Sequence, residues 1–173
     1  MGDRTSCRLT LAGILDERDV PRLAETIDEA YGGSLNDLIE ALTDHLEPIE
    51  FEDVNYAALD PDVSNLLKEL QLSYAWEWDE GDEYLPGVLL HDACSGESSQ
   101  ELYRSSQDIV ISVDSAHDPE NIATAKRWQD FWHKGWELVI VTSNHQMMEL
   151  AAAGKLPEGY LELHQKRREK EMS

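Results

Sequence analysis

The chain has 173 residues, 41% of them apolar and 29% charged, with 36 Asp plus Glu against 14 Lys plus Arg and a formal net charge of −22. The apolar fraction supports one domain with a real core, or two small ones. So large an anionic excess excludes a protein that grips a phosphate backbone, which needs clustered Lys and Arg to displace counterions.

In chain order, Cys7 to Leu15 alternates as a strand, with Leu9, Leu11 and Gly13 set against Arg8, Thr10 and Ala12. Two helices follow, near 19 to 31 and 35 to 46, the first stopped by Gly32-Gly33. Val20, Leu23, Ala24, Ile27 and Tyr31 form the apolar stripe of the first, with Glu25, Asp28 and Glu29 outward. In the second, Leu35, Leu38, Ile39, Leu42 and Leu46 share a face, and Asp37, Glu40, Asp44 and Glu47 make a stripe on another. Ile49 and Phe51 then alternate with Glu50 and Glu52 in the period of a half-exposed strand. Asp60-Pro61 reads as a helix start, and Val63, Leu66, Leu67 and Leu70 as its buried face. Tyr74, Trp76 and Trp78 alternate with Ala75, Glu77 and Asp79, predicting a strand that pairs through the turn Asp79 to Asp82 with another near 85 to 91.

Residues 92 to 101 read as a loop between an acidic α/β half, 1 to 101, and a nearly neutral half, 102 to 173, within one continuous domain. In the second half, Ile109 to Val113 reads as a buried strand. A helix from Asp118-Pro119 to about Lys134 and a second buried strand, Leu138 to Val141, follow it. Strand, helix and strand at that spacing predict a parallel β-α-β crossover. A helix near 145 to 153 and a frayed helical tail from Gln165 complete the chain. The predicted fold is α+β, a single domain with a mixed, mainly antiparallel sheet and helices largely on one side.

The anionic excess is concentrated in one stretch. Residues 16 to 101 hold 24 acids and three bases (Arg18, Arg22, Lys68), whereas 102 to 173 hold 11 acids and nine bases. Ordinary surfaces mix both signs. Halophilic adaptation would spread the acids along the whole chain. Duplex DNA carries one charge per ~1.7 Å of axis, so this excess matches roughly ten base pairs. The sequence therefore predicts an acidic, non-enzymatic inhibitor that mimics DNA and occupies the Lys/Arg-rich groove of a nucleic-acid-binding protein or defence complex. In size and charge it resembles the anti-restriction and anti-CRISPR inhibitors of phages and mobile elements. The partner-binding candidates are Asp37, Glu40, Asp44, Glu47, Glu50, Glu52, Glu77, Asp79, Asp82 and Glu83. No direct nucleic acid contact, membrane contact, cofactor or metal is predicted. The longest aliphatic run, Leu138 to Val141, is far below the roughly 20 residues of a membrane span. Without the apolar core of a signal peptide, and with two cysteines, the chain reads as cytoplasmic. An immunity or antitoxin protein capping a nuclease toxin uses the same electrostatics with a narrower partner.

Catalytic alternatives are thinner. Trp136 to Asn144 resembles the second-motif region of haloacid-dehalogenase-type phosphohydrolases, which implies a phosphate-binding Thr142. That family's nucleophile motif has two aspartates one residue apart, whereas Asp114 is followed by Ser115-Ala116. His91, Asp92, Cys94, His117 and His145 lack the paired short spacings of a zinc site. Cys94 reads as a spectator thiol. Met1-Gly2 with Ser6 fits the bare myristoylation pattern. Trp78, beside so many acids, is a candidate partner anchor.

Overall fold

The long strand β1 (Arg4–Asp16) organises the molecule, whose computed structural model describes residues 4–44, 48–55, 57–81 and 85–173. Its 13 residues span about 43 Å at ~3.3 Å per residue. That length lets three strands pair with it. β2 (Ile49–Asn55) and β3 (Ser73–Trp78) run antiparallel to its first nine residues, and β8 (Leu138–Val141) runs parallel to Gly13–Asp16. β4 (Gly87–Asp92) extends the sheet beyond β3, and β5 (Glu97–Ser98), β6 (Leu102–Ser105) and β7 (Asp108–Ile109) complete it. The strand path is β2-β1-β3-β4-β6-β7, with β5 on β4 and β8 on β1. The expected mixed, mainly antiparallel sheet of an α+β domain is present. One sheet carries strands from both halves of the chain.

Three helices cover one face. α1 (Val20–Tyr31), α2 (Leu35–Asp44) and α3 (Pro61–Glu69) set Leu23, Ile27, Leu38, Leu42, Val63 and Leu67 against Cys7, Leu9, Leu11, Phe51 and Trp76. Trp76 lies at the centre, fully buried. Its indole N–H donates to the Ala57 carbonyl at 2.8 Å, and its ring stacks on Tyr31 at 5.1 Å between centroids. Asp60 caps α3, accepting from the backbone N–H of Asp62 at 2.8 Å.

The opposite face is covered too, which corrects the expectation of helices largely on one side. α4 (Pro119–Trp132) lays Trp128 and Trp132 over Ala75, Val88 and Leu90. α5 (Asn144–Ala152) and α6 (Tyr160–Glu171) bring Met147 and Tyr160 onto Ala12 and Ile14. The cause is the composition of β3 and β4. All six residues of β3 are buried, Ala75 and Glu77 included, so the strand expected to alternate is enclosed on both sides. Gly13, at φ 138°, passes under this cover, where a Cβ would meet Leu72 at 2.9 Å and the Tyr160 ring at 3.1 Å.

The C-terminal third also departs from expectation. Of the strand expected over Ile109 to Val113, only Ile109 belongs to a ladder, β7 pairing with β6, while Val110, Ile111 and Val113 are exposed. The parallel neighbour of β8 is β1, so no β-α-β crossover is closed within this half. Both antiparallel neighbours of β1 end by Ala12, which leaves Gly13–Asp16 for β8. The tail read as frayed belongs to α6, where His164 and Arg167 are buried against Asp16.

Candidate functional site

β2 stands at one end of the strand path, α2 packs beside it and α1 packs on α2. These three elements carry many of the acids. Apolar periodicity turns Glu25 and Glu29 of α1, and Asp37 and Glu40 of α2, toward solvent. On β2, the pairing with β1 slips between Thr5 and Cys7, and Asp53 takes the left-handed backbone at φ 59°. The irregularity breaks the alternation, so Glu52 and Asp53 are exposed in succession. Glu25, Asp28, Glu29, Asp37, Glu40, Glu52 and Asp53 make no ion pair within the structure among the described residues.

Among the described residues, three concavities adjoin β2. A groove of about 700 Å³ between α2 and β2 has Asp37, Glu50 and Arg8 on its walls. A cleft of about 360 Å³ is bordered by Glu52, Asp53 and Asp60. A third, of about 380 Å³, opens on the sheet face between β1, β2 and β3 and is lined by Glu50, Glu52, Glu77 and Asp79 together with Arg8 and Arg104. Register explains the third. Arg8 lies opposite Glu50 on one side and Glu77 on the other, putting all three on one face, and the Asp79 N–H donates to the Ser6 carbonyl at 3.1 Å.

The predicted partner-binding residues divide accordingly. Asp37, Glu40, Glu50 and Glu52 are exposed on the β2 edge. Glu50 is engaged by Arg8, with Nε to Oε1 at 3.3 Å, and Asp79 by Arg104 at 2.6 Å, so neither is a free carboxylate. Glu77 is 9% exposed and is no part of the outer surface. Burial raises its carboxyl above the ordinary range, and the charges of Arg104 and Arg8 pull it back. Glu47, Asp82 and Glu83 lie outside the described residues, as does the side chain of Asp44. Asp53 and Asp60 were absent from the predicted set. The Glu52-Asp53 doublet was the available signal for the first.

Trp78 is not a surface anchor. It is buried, donates its indole N–H to the Leu85 carbonyl at 3.0 Å, and lies so close to Gly87 that a Cβ there would fall 2.1 Å from the ring. The Thr142 hydroxyl donates to Gln146 at 2.9 Å in the first turn of α5. His91 is buried, stacks on Tyr74 and bonds Ser98 at 2.9 Å. Burial and the nearby Asp92 raise the Cys94 thiol, opposite to what activates a nucleophile. Among the described residues, no three His, Cys, Asp or Glu side chains are placed to hold a metal ion, and no helix is long and apolar enough to cross a membrane. Comparison with protein families, curated proteins and solved structures finds no match to this chain.

Proposed function

We propose that this protein is a non-enzymatic inhibitor that presents the α1, α2 and β2 carboxylates, in place of nucleic acid phosphates, to the basic groove of a nucleic-acid-handling protein, such as an anti-restriction or anti-CRISPR target complex. The observation that carries the reading is that seven carboxylates of α1, α2 and β2, elements that pack in series at one end of the strand path, make no ion pair among the described residues. Such a field steers association and makes it fall with salt.

The test is affinity capture from host lysate at low and at high salt, followed by competition with duplex DNA for the captured complex. A nucleic-acid-handling protein retained at low salt and displaced by DNA is the expected result. Joint reversal of Asp37, Glu40, Glu50 and Glu52 to Lys abolishes capture, whereas each single change does little. A metabolic enzyme, or no partner, refutes the reading. The concavities beside β2 favour a second one, an immunity protein for a single nuclease toxin, because a shaped site selects one partner where a bare charged face accepts many. A neighbouring toxin gene whose product co-purifies at high salt would decide for it.

A further inference from the structure

We propose that the cavity between β1, β2 and β3 receives one arginine side chain of the partner protein, with Glu77 as its buried counter-ion. The proposal rests on the reading of the acidic edge as a surface for a basic partner, and it names the group that edge captures.

The cavity holds four carboxylates and two guanidinium groups of its own. Both guanidinium groups are engaged. Arg8 sits on Glu50 at 3.3 Å. Arg104 holds Asp79 at 2.6 Å and also donates to the carbonyls of Trp78 at 3.0 Å, Gly87 at 3.2 Å and Ser106 at 3.1 Å, which fixes it in place. Both guanidinium groups act on Glu77, on the cavity floor, through space, and neither makes an ion pair to it or to Glu52 at the rim. Glu77 is nine-tenths buried, and no hydrogen bond or ion pair among the described residues ends on it. Its side chain has lost most of its hydration, while its oxygens still reach the opening. Here it faces an opening of about 380 Å³, a volume at the small end of ligand clefts, so a donor can enter from outside.

The chemistry of that donor follows from the walls. A metal ion is disfavoured, because no three acidic, His or Cys side chains among the described residues converge on one point. An ammonium is a compact and strongly hydrated charge, and it would lose most of its water in reaching Glu77. A guanidinium is weakly hydrated, always charged and forked, so its five N–H donors can serve Glu77 below and Glu52 at the rim together. The exposed Ser6, beside Glu52 on the cavity wall, offers a further acceptor.

The test begins with the whole protein, carbon-13 labelled, titrated with N-acetyl-arginine methylamide and separately with the lysine analogue, the Glu77 carboxyl carbon being followed by NMR. Expected is a saturable Glu77 shift with the arginine analogue, a weaker one with lysine, and loss of the saturable response at the Ser6 amide in Glu77→Gln. The Trp76 and Trp78 indole N–H signals report that the variant is folded. If they are lost, the wild-type titration alone decides. No saturable shift in wild type, or equal response to both analogues, overturns the proposal. With a captured partner, Glu77→Gln lowers affinity at least about thirtyfold, the equivalent of roughly 2 kcal/mol, with little change in salt dependence. If edge reversal abolishes capture and Glu77→Gln leaves affinity unchanged, the cavity proposal fails and the surface reading stands. If the arginine analogue occupies the cavity and no basic partner is captured, the surface reading fails and the cavity stands.

Discussion

Replacing Asp16 by Asn tests the joint between the ends of the chain. Asp16 closes β1, and its side chain is 2% exposed. It accepts from Arg167 at 2.6 Å and from Arg168, faces His164 Nε2 at 3.2 Å, and lies 3.7 Å from Arg18. Asn keeps the shape and removes the charge, leaving the buried Arg167 without its deepest partner. Breaking one side of a buried ion pair costs ~3–5 kcal/mol. Arg167 retains Asp19 at 2.8 Å and Glu171 at 3.5 Å, so the cost falls at the lower end, about 3 kcal/mol. At ~2–4 °C per kcal/mol for a domain of this size, the melting temperature drops by roughly 6–12 °C. Far-UV circular dichroism melts at pH 7 measure it. The pH dependence carries a definite sign. Burial alone would raise this carboxyl, but the hydrogen bonds and charges of His164 and Arg168 overcome it and hold the group well below the usual carboxylate range. Its contribution is therefore complete above the unfolded value of ~3.9 and is lost as pH falls below that toward the folded one. The gap between wild type and variant must narrow below about pH 4. A variant melting within about 2 °C of wild type at neutral pH, or a gap that widens in acid, refutes the reasoning.

Three further outcomes test the packing. Gly87→Ala drives a methyl into the Trp78 ring, 2.1 Å from the nearest ring carbon, and costs ~1–3 kcal/mol, with a change in the tryptophan near-UV circular dichroism. Asp60→Ala removes the cap of α3 and lowers the urea midpoint by the equivalent of ~1 kcal/mol with an unchanged m value. Val113→Ser leaves stability within ~0.5 kcal/mol because the side chain is 78% exposed; a loss above about 2 kcal/mol would mean that the segment is buried after all.

What the sequence disclosed and what it hid follow from the range of the interactions. α1 to α3 are readable because their stripes are local and their ends are marked by Gly32 and by Asp60-Pro61. The exposed acids of α2 and β2 obey the same local rules. Glu77 does not, because its burial depends on the neighbouring strands and on the elements that enclose the second face. Asp53 escaped for a similar reason, since a bulge belongs to the pairing of two strands and not to either sequence. Ile109 to Val113 has the composition of a buried strand, but the sheet ends there, and Val110, Ile111 and Val113 stay exposed. α6 has almost no apolar stripe. It docks through His164 and Arg167 on Asp16, which hydrophobic periodicity cannot detect.

The same docking bears on the acidic edge. Seven arginines make ion pairs to acidic side chains, and their targets are unevenly placed. Arg18, Arg167 and Arg168 converge on Asp16, Asp19 and Glu171, at the end of β1 opposite to the β2 pairing. Arg22, the single base on α1, reaches across to Glu69 of α3. Arg127 is engaged by Glu97. Among the described residues only Arg8 serves a β2 carboxylate, and Glu52, Asp53 and the outward acids of α1 and α2 make no ion pair. Self-repulsion in such a patch lowers the stability of the compact state. A partner that supplies the missing cations should therefore stabilise the fold, with a rise in melting temperature that diminishes as salt is added. A basic partner that left the melting temperature unchanged at low salt would show that these acids are already satisfied by solvent and that their segregation has no binding consequence.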